Sequence, residues 1–290
     1  MTMIDLLRDS PGLLIGAVFL FSLLIGSFLN VVILRLPRML EQEWRAGARE
    51  ILEMEPATTD ARFNLLAPPS TCPQCGHRIR AWENIPVISW LLLRGRCSNC
   101  GTGIGIRYPL VELITGILSA VVAWQFGWGP ELAAGLILTW SLIALAGIDI
   151  DHQLLPDSMT LPLLWLGLGL SLVPVFADPV SAIIGAMAGY LSLWLVFQAF
   201  RLITGKEGMG YGDFKLLALL GAWLGWTALP VIILLSAVVG AVVGIGMILI
   251  LGRDRQLPIP FGPYLAGAGW LALLWQEELI AYYLQWAGLA

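Results

Sequence analysis

Four cysteines stand in one pattern: Cys72-Pro-Gln-Cys75, 21 intervening residues, then Cys97-Ser-Asn-Cys100. Two C-x-x-C knuckles at that separation suit a tetrahedral thiolate site in which each knuckle gives two sulfurs to one Zn²⁺. Gly76 and Gly101 directly follow the knuckles, where a tight turn presenting backbone N–H groups to sulfur needs a residue free to take positive φ. Two disulfides or a redox pair are the competing readings; a reducing cytoplasm disfavours the first, and no βαβ context supports the second. Four protein ligands would close the coordination sphere, so the role expected of the metal is structural. His77 then has no vacancy to fill and is expected to be a solvated loop residue.

The second set of chemically interesting residues is acidic. Carboxylates in or beside membrane segments are costly and mark function, and the candidates are Glu112, Asp149, Asp151, Asp157 and Asp213. Asp149 and Asp151 lie in Gly-Ile-Asp-Ile-Asp-His-Gln-Leu-Leu-Pro-Asp, at the end of an apolar run. Asp213 ends Gly210-Tyr211-Gly212-Asp213, at the start of another. Two carboxyl groups at one depth provide what hydrolysis of a peptide bond requires: one ionised to take a proton from water, one protonated to donate. Held close, they share a single proton. The bland alternative is that each caps a helix at a wet interface, and Asp157, ahead of a new apolar run, is expected to do only that.

These residues need a scaffold, and composition names it. The chain is 58% hydrophobic and 12% charged, with a mean hydropathy of +0.81. Soluble domains carry about 25% charged residues, so a water-soluble globule is excluded in favour of an all-α polytopic membrane protein. A bilayer core about 30 Å thick takes roughly 20 apolar residues per helix. Eight segments qualify as expected helices: Leu13–Leu34, Tyr108–Phe126, Leu132–Ile148, Met159–Phe176, Ala182–Ile203, Phe214–Trp226, Ala228–Leu251 and Pro263–Tyr283, the sixth being short. The first is read as a retained span rather than a signal peptide, because Asp5 and Asp9 flank Arg8 and no A-x-A site follows.

Charge then orients the chain. If the Arg-rich stretch from Arg35 to Arg107 is cytoplasmic, every basic residue except Arg8 falls on the cytoplasmic side of an eight-span protein. The N-terminus is then periplasmic, and Asp149 and Asp213 meet at the cytoplasmic face. The expected division is a first transmembrane helix over 1–35, a small cytoplasmic zinc-ribbon-like domain over 36–107, and a seven-helix catalytic core over 108–290. Glu41–Glu55 reads as a separate amphipathic helix ended by Pro56, lying either on lipid or on its own domain. The arginines near the cysteines are explained by topology, so nucleic acid is not expected as a partner.

Taken in order, the motifs resemble those of the prepilin peptidase family, the bifunctional leader peptidases and N-methyltransferases of type IV pilus and type II secretion systems. The likeness runs through Gly26-Ser27-Phe28-Leu29-Asn30-Val31-Val32, Arg35-Leu36-Pro37, the paired C-x-x-C, and Arg107-Tyr108-Pro109-Leu110-Val111-Glu112. It continues through Asp149 to Asp157, Gly205-Lys206-Glu207-Gly208-Met209-Gly210-Tyr211-Gly212-Asp213, and Pro258-Ile259-Pro260-Phe261-Gly262-Pro263. The resemblance implies a GxGD-type aspartyl protease of the bacterial inner membrane, with Asp149 and Asp213 as the catalytic pair. Its implied substrates are prepilins and pseudopilins, whose basic leader would lie in the cytoplasm while their apolar helix rests in membrane lipid. It further implies methylation of the new N-terminus by S-adenosylmethionine. No G-x-G-x-x-G follows a strand, so Glu112, Lys206 and Glu207 are candidates for the methyl-donor site only as polar members of the motifs. A transporter would instead place carboxylates near the midplane on broken helices, and an assembly scaffold would need no aspartate pair.

Overall fold

The computed structural model describes residues 3–54, 63–252, 259–286 and 288. Among them the chain is helical, with no strand beyond the single-residue bridges Thr71↔Arg78 and Arg96↔Gly103. It forms two compact units, Met1–Trp128 and Gly129–Ala290.

In the first unit, a short helix α1 (Met3–Asp9) precedes α2 (Pro11–Ile51), which Pro11 opens from the first helical position, where a missing N–H costs nothing. At 41 residues, α2 is about 60 Å long, roughly twice the hydrocarbon thickness. The expected break after Leu34 is therefore absent, and the separate helix expected over Glu41–Glu55 is the tail of α2. Pro37 sits inside the helix and is buried. It removes one backbone donor and crowds the carbonyl one turn back, but the strong helix formers after it, Met39 to Glu43 among them, carry the ladder on. The tail is almost wholly exposed and carries an Arg45–Glu41 pair at 2.5 Å. Pro56, the expected terminator, lies outside the described residues.

Helix α3 (Ile88–Leu92) belongs to the cysteine-bearing segment, and α4 (Arg107–Phe126) packs along α2. The α2–α4 contact is made by small residues: a Cβ on Gly26 would lie 2.6 Å from the Glu112 Cα, and one on Gly116 would meet Leu23 and Phe19 at 2.9 and 3.0 Å. In lipid, close backbone approach through such residues is what drives helix association.

The second unit holds α5 (Pro130–His152), α6 (Asp157–Ser171), α7 (Pro179–Thr204), α8 (Tyr211–Leu224), α9 (Leu229–Leu251) and α10 (Gly262–Trp286). Its centre is α8. From Asp213 to Leu224 every side chain of α8 is buried except Lys215, which is half-buried. On one side α7 approaches it backbone to backbone: a Cβ on Gly185 would lie 2.2 Å from the Gly221 oxygen, and one on Gly189 2.6 Å from the Leu217 oxygen. Gly185-Ala-Met-Ala-Gly189 is the small-xxx-small spacing that such contacts need. On another side Trp223 fills the notch at Gly167 of α6 and donates its indole N–H to Leu163 O at 2.8 Å. On a third, Leu220 packs against Gly269 of α10.

All eight apolar segments emerge as helices, yet among the described residues only five are long and apolar enough to cross a membrane: Pro11–Ile51, Arg107–Phe126, Pro130–His152, Pro179–Thr204 and Trp226–Ile250. The expected count of eight spans is thus not confirmed, five meeting the criterion of length and apolarity. With 14 residues, α8 rises only about 21 Å, short of the roughly 30 Å core. Helix α6 has 15 residues, and α10 bends at Trp275 and carries Gln276, Glu277 and Glu278 beyond it. The chain is a multi-pass membrane protein whose second unit holds the short, buried α8 between α6, α7 and α10.

Candidate active site and metal centre

Asp149 lies in the last turn of α5, which Gln153 closes in the left-handed conformation (φ 52°) by donating its N–H to Asp149 O. Asp213 lies in the first turn of α8, behind the cap residue Gly210. Both side chains are buried, and the two are close enough for their charges to act on one another. The structure therefore brings together the two carboxyl groups singled out in the sequence, one from a helix end and one from a helix start.

A third element completes the arrangement. The backbone N–H of Gly262, the first residue of α10, donates to Asp149 Oδ2 at 3.0 Å. A Cβ at Gly262 would stand 2.7 Å from that same oxygen and 3.1 Å from its carbon, so only glycine lets this amide reach the carboxylate. Leu155, from the α5–α6 connection, lies against both flanking glycines: its Cβ is 2.8 Å from a Cβ built on Gly212, and its Cδ1 3.3 Å from one built on Gly262. Under the Gly-Tyr-Gly turn, Tyr211 meets Phe197 and Phe214 at centroid distances of 5.4 Å each, and Tyr190 meets Phe214 edge-on at 5.8 Å. The Gly262–Asp149 link joins residues 113 apart, and nothing in local sequence pattern announces it.

Asp157 does not cap α6. Pro156 holds the cap position, and the Asp157 carboxylate instead grips Lys215 Nζ at 2.6 and 2.7 Å. Proline at 156 moves the helix start one residue early, which turns Asp157 toward α8. Lys206 and Glu207 lie exposed on the α7–α8 connection, where Glu207 faces Arg201 at 3.9 Å. In the first unit, Glu112 is buried in α4; its Oε2 accepts the Val87 N–H at 2.8 Å, and Ser27 also hydrogen-bonds it.

The cysteines converge. One sulfur from each of Cys72, Cys75, Cys97 and Cys100 forms a group in which all lie within 4.8 Å. Cys72 Sγ is 3.8 Å from Cys100 Sγ, and Cys75 Sγ 4.0 Å from Cys97 Sγ. Tetrahedral coordination with arms of about 2.3 Å puts sulfurs about 3.8 Å apart, so the set fits one zinc-sized ion. The knuckles are built alike: Cys72 N–H donates to His77 O and Gly76 N–H to Cys72 O, while Cys97 N–H donates to Thr102 O and Gly101 N–H to Cys97 O. Gly76 and Gly101 take φ of 69° and 73°, the freedom their positions required. Hydrogen bonding with the side chain and backbone of Thr102 holds the Cys100 thiol down to about 6, toward the thiolate that binds metal.

His77 is not a solvated loop residue. Its Nε2 lies 3.3 Å from Glu83 Oε2, and Ser98 Oγ donates to the other Glu83 oxygen, so Glu83 ties the first knuckle to the second. The Ser98 hydroxyl, then the Arg80 N–H, hold the Glu83 carboxyl below the usual carboxylate range.

Residues 20–126 match the family described as the bacterial peptidase A24 N-terminal domain, and residues 136–245 the type IV leader peptidase family. The chain is 56% identical over 289 residues to a protein of Stutzerimonas stutzeri, covering 100% of both chains. It is 56% identical to one of Pseudomonas aeruginosa over 99% of each, and 56% identical to one of Aeromonas salmonicida over 97% of this chain and 98% of the other. All three bear the name prepilin leader peptidase/N-methyltransferase. No solved structure matches.

Proposed function

Because this chain belongs to the type IV leader peptidase family, we propose that it cuts the basic leader from prepilins with Asp149 and Asp213 and then methylates the exposed N-terminus. The observation that carries the protease reading is the buried pairing of those two carboxyl groups, one held by the Gly262 amide. One aspartate, ionised, takes a proton from a water molecule as its oxygen attacks the scissile carbonyl carbon. The other, protonated, gives its proton to the carbonyl oxygen. Collapse of the tetrahedral adduct breaks the C–N bond: the leaving nitrogen takes the proton first abstracted from water, and a hydroxyl of the adduct returns its proton to the second aspartate as the new carboxyl group forms. The pair ends the cycle as it began, sharing one proton between two like charges.

The substrate class extends to pseudopilins, which share the plan of a basic leader ahead of an apolar helix. Such a substrate rests in lipid with its leader in the cytoplasm, and the arginine distribution supports the cysteine segment and the aspartate pair lying on that side of the bacterial inner membrane. The four cysteines hold a structural Zn²⁺. The methyl transfer rests on the name shared by the relatives, with S-adenosylmethionine as donor. Its candidate residues are the polar motif members Glu112, which is hydrogen-bonded to Val87 and Ser27, Lys206, and Glu207, which faces Arg201.

The test is mass spectrometry of a prepilin incubated with the purified protein, with and without S-adenosylmethionine, beside Asp213→Asn. Loss of the leader that the substitution abolishes, and a methyl gained only with the donor, are expected. An intact substrate with folded protein would refute the proposal.

A further inference from the structure

The cysteine segment carries an apolar face that its own fold leaves open. Trp82, Ile88, Leu91 and Leu92 are 53%, 54%, 61% and 79% exposed, and Ile85 is exposed beside them. They gather on α3 and the turn before it, within a run of eleven residues. A soluble module would not hold so much exposed apolar surface without something to cover it.

Val87 fixes where that face lies. It immediately precedes α3, and its N–H is bound by Glu112 Oε2 at 2.8 Å. Glu112 is five residues into α4, a helix apolar enough to cross the membrane, so it sits about 7.5 Å along the axis from Arg107. A segment hydrogen-bonded at that level is at the depth of the membrane boundary, not out in the aqueous phase. Val87 reaches it with φ 60° and ψ −49°, a conformation that a β-branched residue takes only under constraint. The open face is also continuous in chemistry with the start of α4, where Ile106, Tyr108 and Leu110 are exposed. Arg94 and Arg96 follow α3 directly and are exposed, as befits side chains beside anionic headgroups.

We propose that Trp82–Leu92 is an interfacial anchor that docks the cysteine module into the lipid boundary, with the Val87–Glu112 hydrogen bond setting its depth. Trp82 occupies the headgroup level that indole prefers, and Ile88, Leu91 and Leu92 enter the upper acyl region, as an in-plane apolar helix face does. This assigns Glu112 a positioning role and gives the module a fixed height above the membrane. It does not depend on the peptidase chemistry.

The full-length, zinc-loaded protein would be placed in nanodiscs of phosphatidylethanolamine and phosphatidylglycerol, with Leu92 replaced by photoreactive p-benzoylphenylalanine. At a position this exposed the replacement does not disturb packing, and retained zinc reports the fold. Irradiation is expected to give an adduct with the mass of a phospholipid, lost when Ile88→Asp and Leu91→Asp are added. An adduct to another part of the chain, to a second copy or to added prepilin, or no adduct at all, would overturn the proposal. Prepilin cleavage followed in the same preparation separates this outcome from the fate of the peptidase reading.

Discussion

Removing the metal is the perturbation with the largest calculable effect. In residues 63–106 only Cys72, Pro86, Ser89 and Gly95 are buried. No hydrophobic side chain besides a cysteine and a proline is fully withdrawn from water there, and the partly covered ones, such as Trp90, Leu93 and Ile104, leave burial at about 25 cal/mol per Å² little to act on. The order of both knuckles is therefore expected to rest on the proposed zinc, whose binding to structural four-ligand sites is worth about 10–16 kcal/mol at neutral pH. That matches the entire stability of an ordinary domain, about 5–15 kcal/mol. Chelation should unfold the knuckles and leave the α5–α10 helices in place. Amide exchange read by mass spectrometry, before and after a metallochromic chelator has counted the zinc released, would follow Cys72 N–H to His77 O, Cys97 N–H to Thr102 O and Ile104 N–H to Gly95 O. Complete loss of protection at these amides with the second unit unchanged is expected. If they stay protected once the metal is gone, or if less than about one ion per chain is released, the argument from the missing core is wrong.

Asp149→Asn and Asp213→Asn should each lower prepilin cleavage by about a thousandfold or more, the scale of a lost acid or base, while methylation of a pre-cleaved pilin continues. Gly262→Ala should push the Asp149 carboxylate from its place and cost about a hundredfold in cleavage, the scale of a displacement near 1 Å; an unaffected rate would show that the carboxylate is held otherwise. Gly221→Leu forces a side chain onto a carbonyl oxygen 2.1 Å from its Cβ and should cost about 3 kcal/mol or more, read as a lowered midpoint in detergent-resistant unfolding. Lys215→Met leaves Asp157, itself half-exposed, without its partner; stability should fall by no more than about 1 kcal/mol, with cleavage kept within a few fold.

What could be read locally was legible. Apolar run length located the helices, knuckle spacing located the four sulfurs that now lie together, and the glycines after them have the positive φ that the turn demanded. Motif order pointed to the aspartates. What could not be read falls into two kinds. One is continuity: the apolar run ends at Leu34, yet good helix formers carry the same helix through Pro37 to Ile51, since a single lost hydrogen bond does not stop it. The other is pairing across distance. Gly262 with Asp149, Val87 with Glu112, Asp157 with Lys215 and His77 with Glu83 each join groups whose neighbours in sequence say nothing of the partner. Run length likewise could not show that α8 is enclosed by protein, since a short apolar helix looks the same whether lipid or other helices surround it.

The glycine contact between α7 and α8 has a mechanical consequence. With the backbones of Gly185 and Gly221 touching and Trp223 wedged into α6, the helix that carries Asp213 is a fixed post with no play of its own. Asp149 stands on α5, which packs chiefly on α10, the helix that also supplies the Gly262 amide. A movement that parts the two aspartates would carry α5 with its Gly262 clasp, so its hinge is to be sought in the α5–α6 connection rather than beside the Gly-Tyr-Gly-Asp turn.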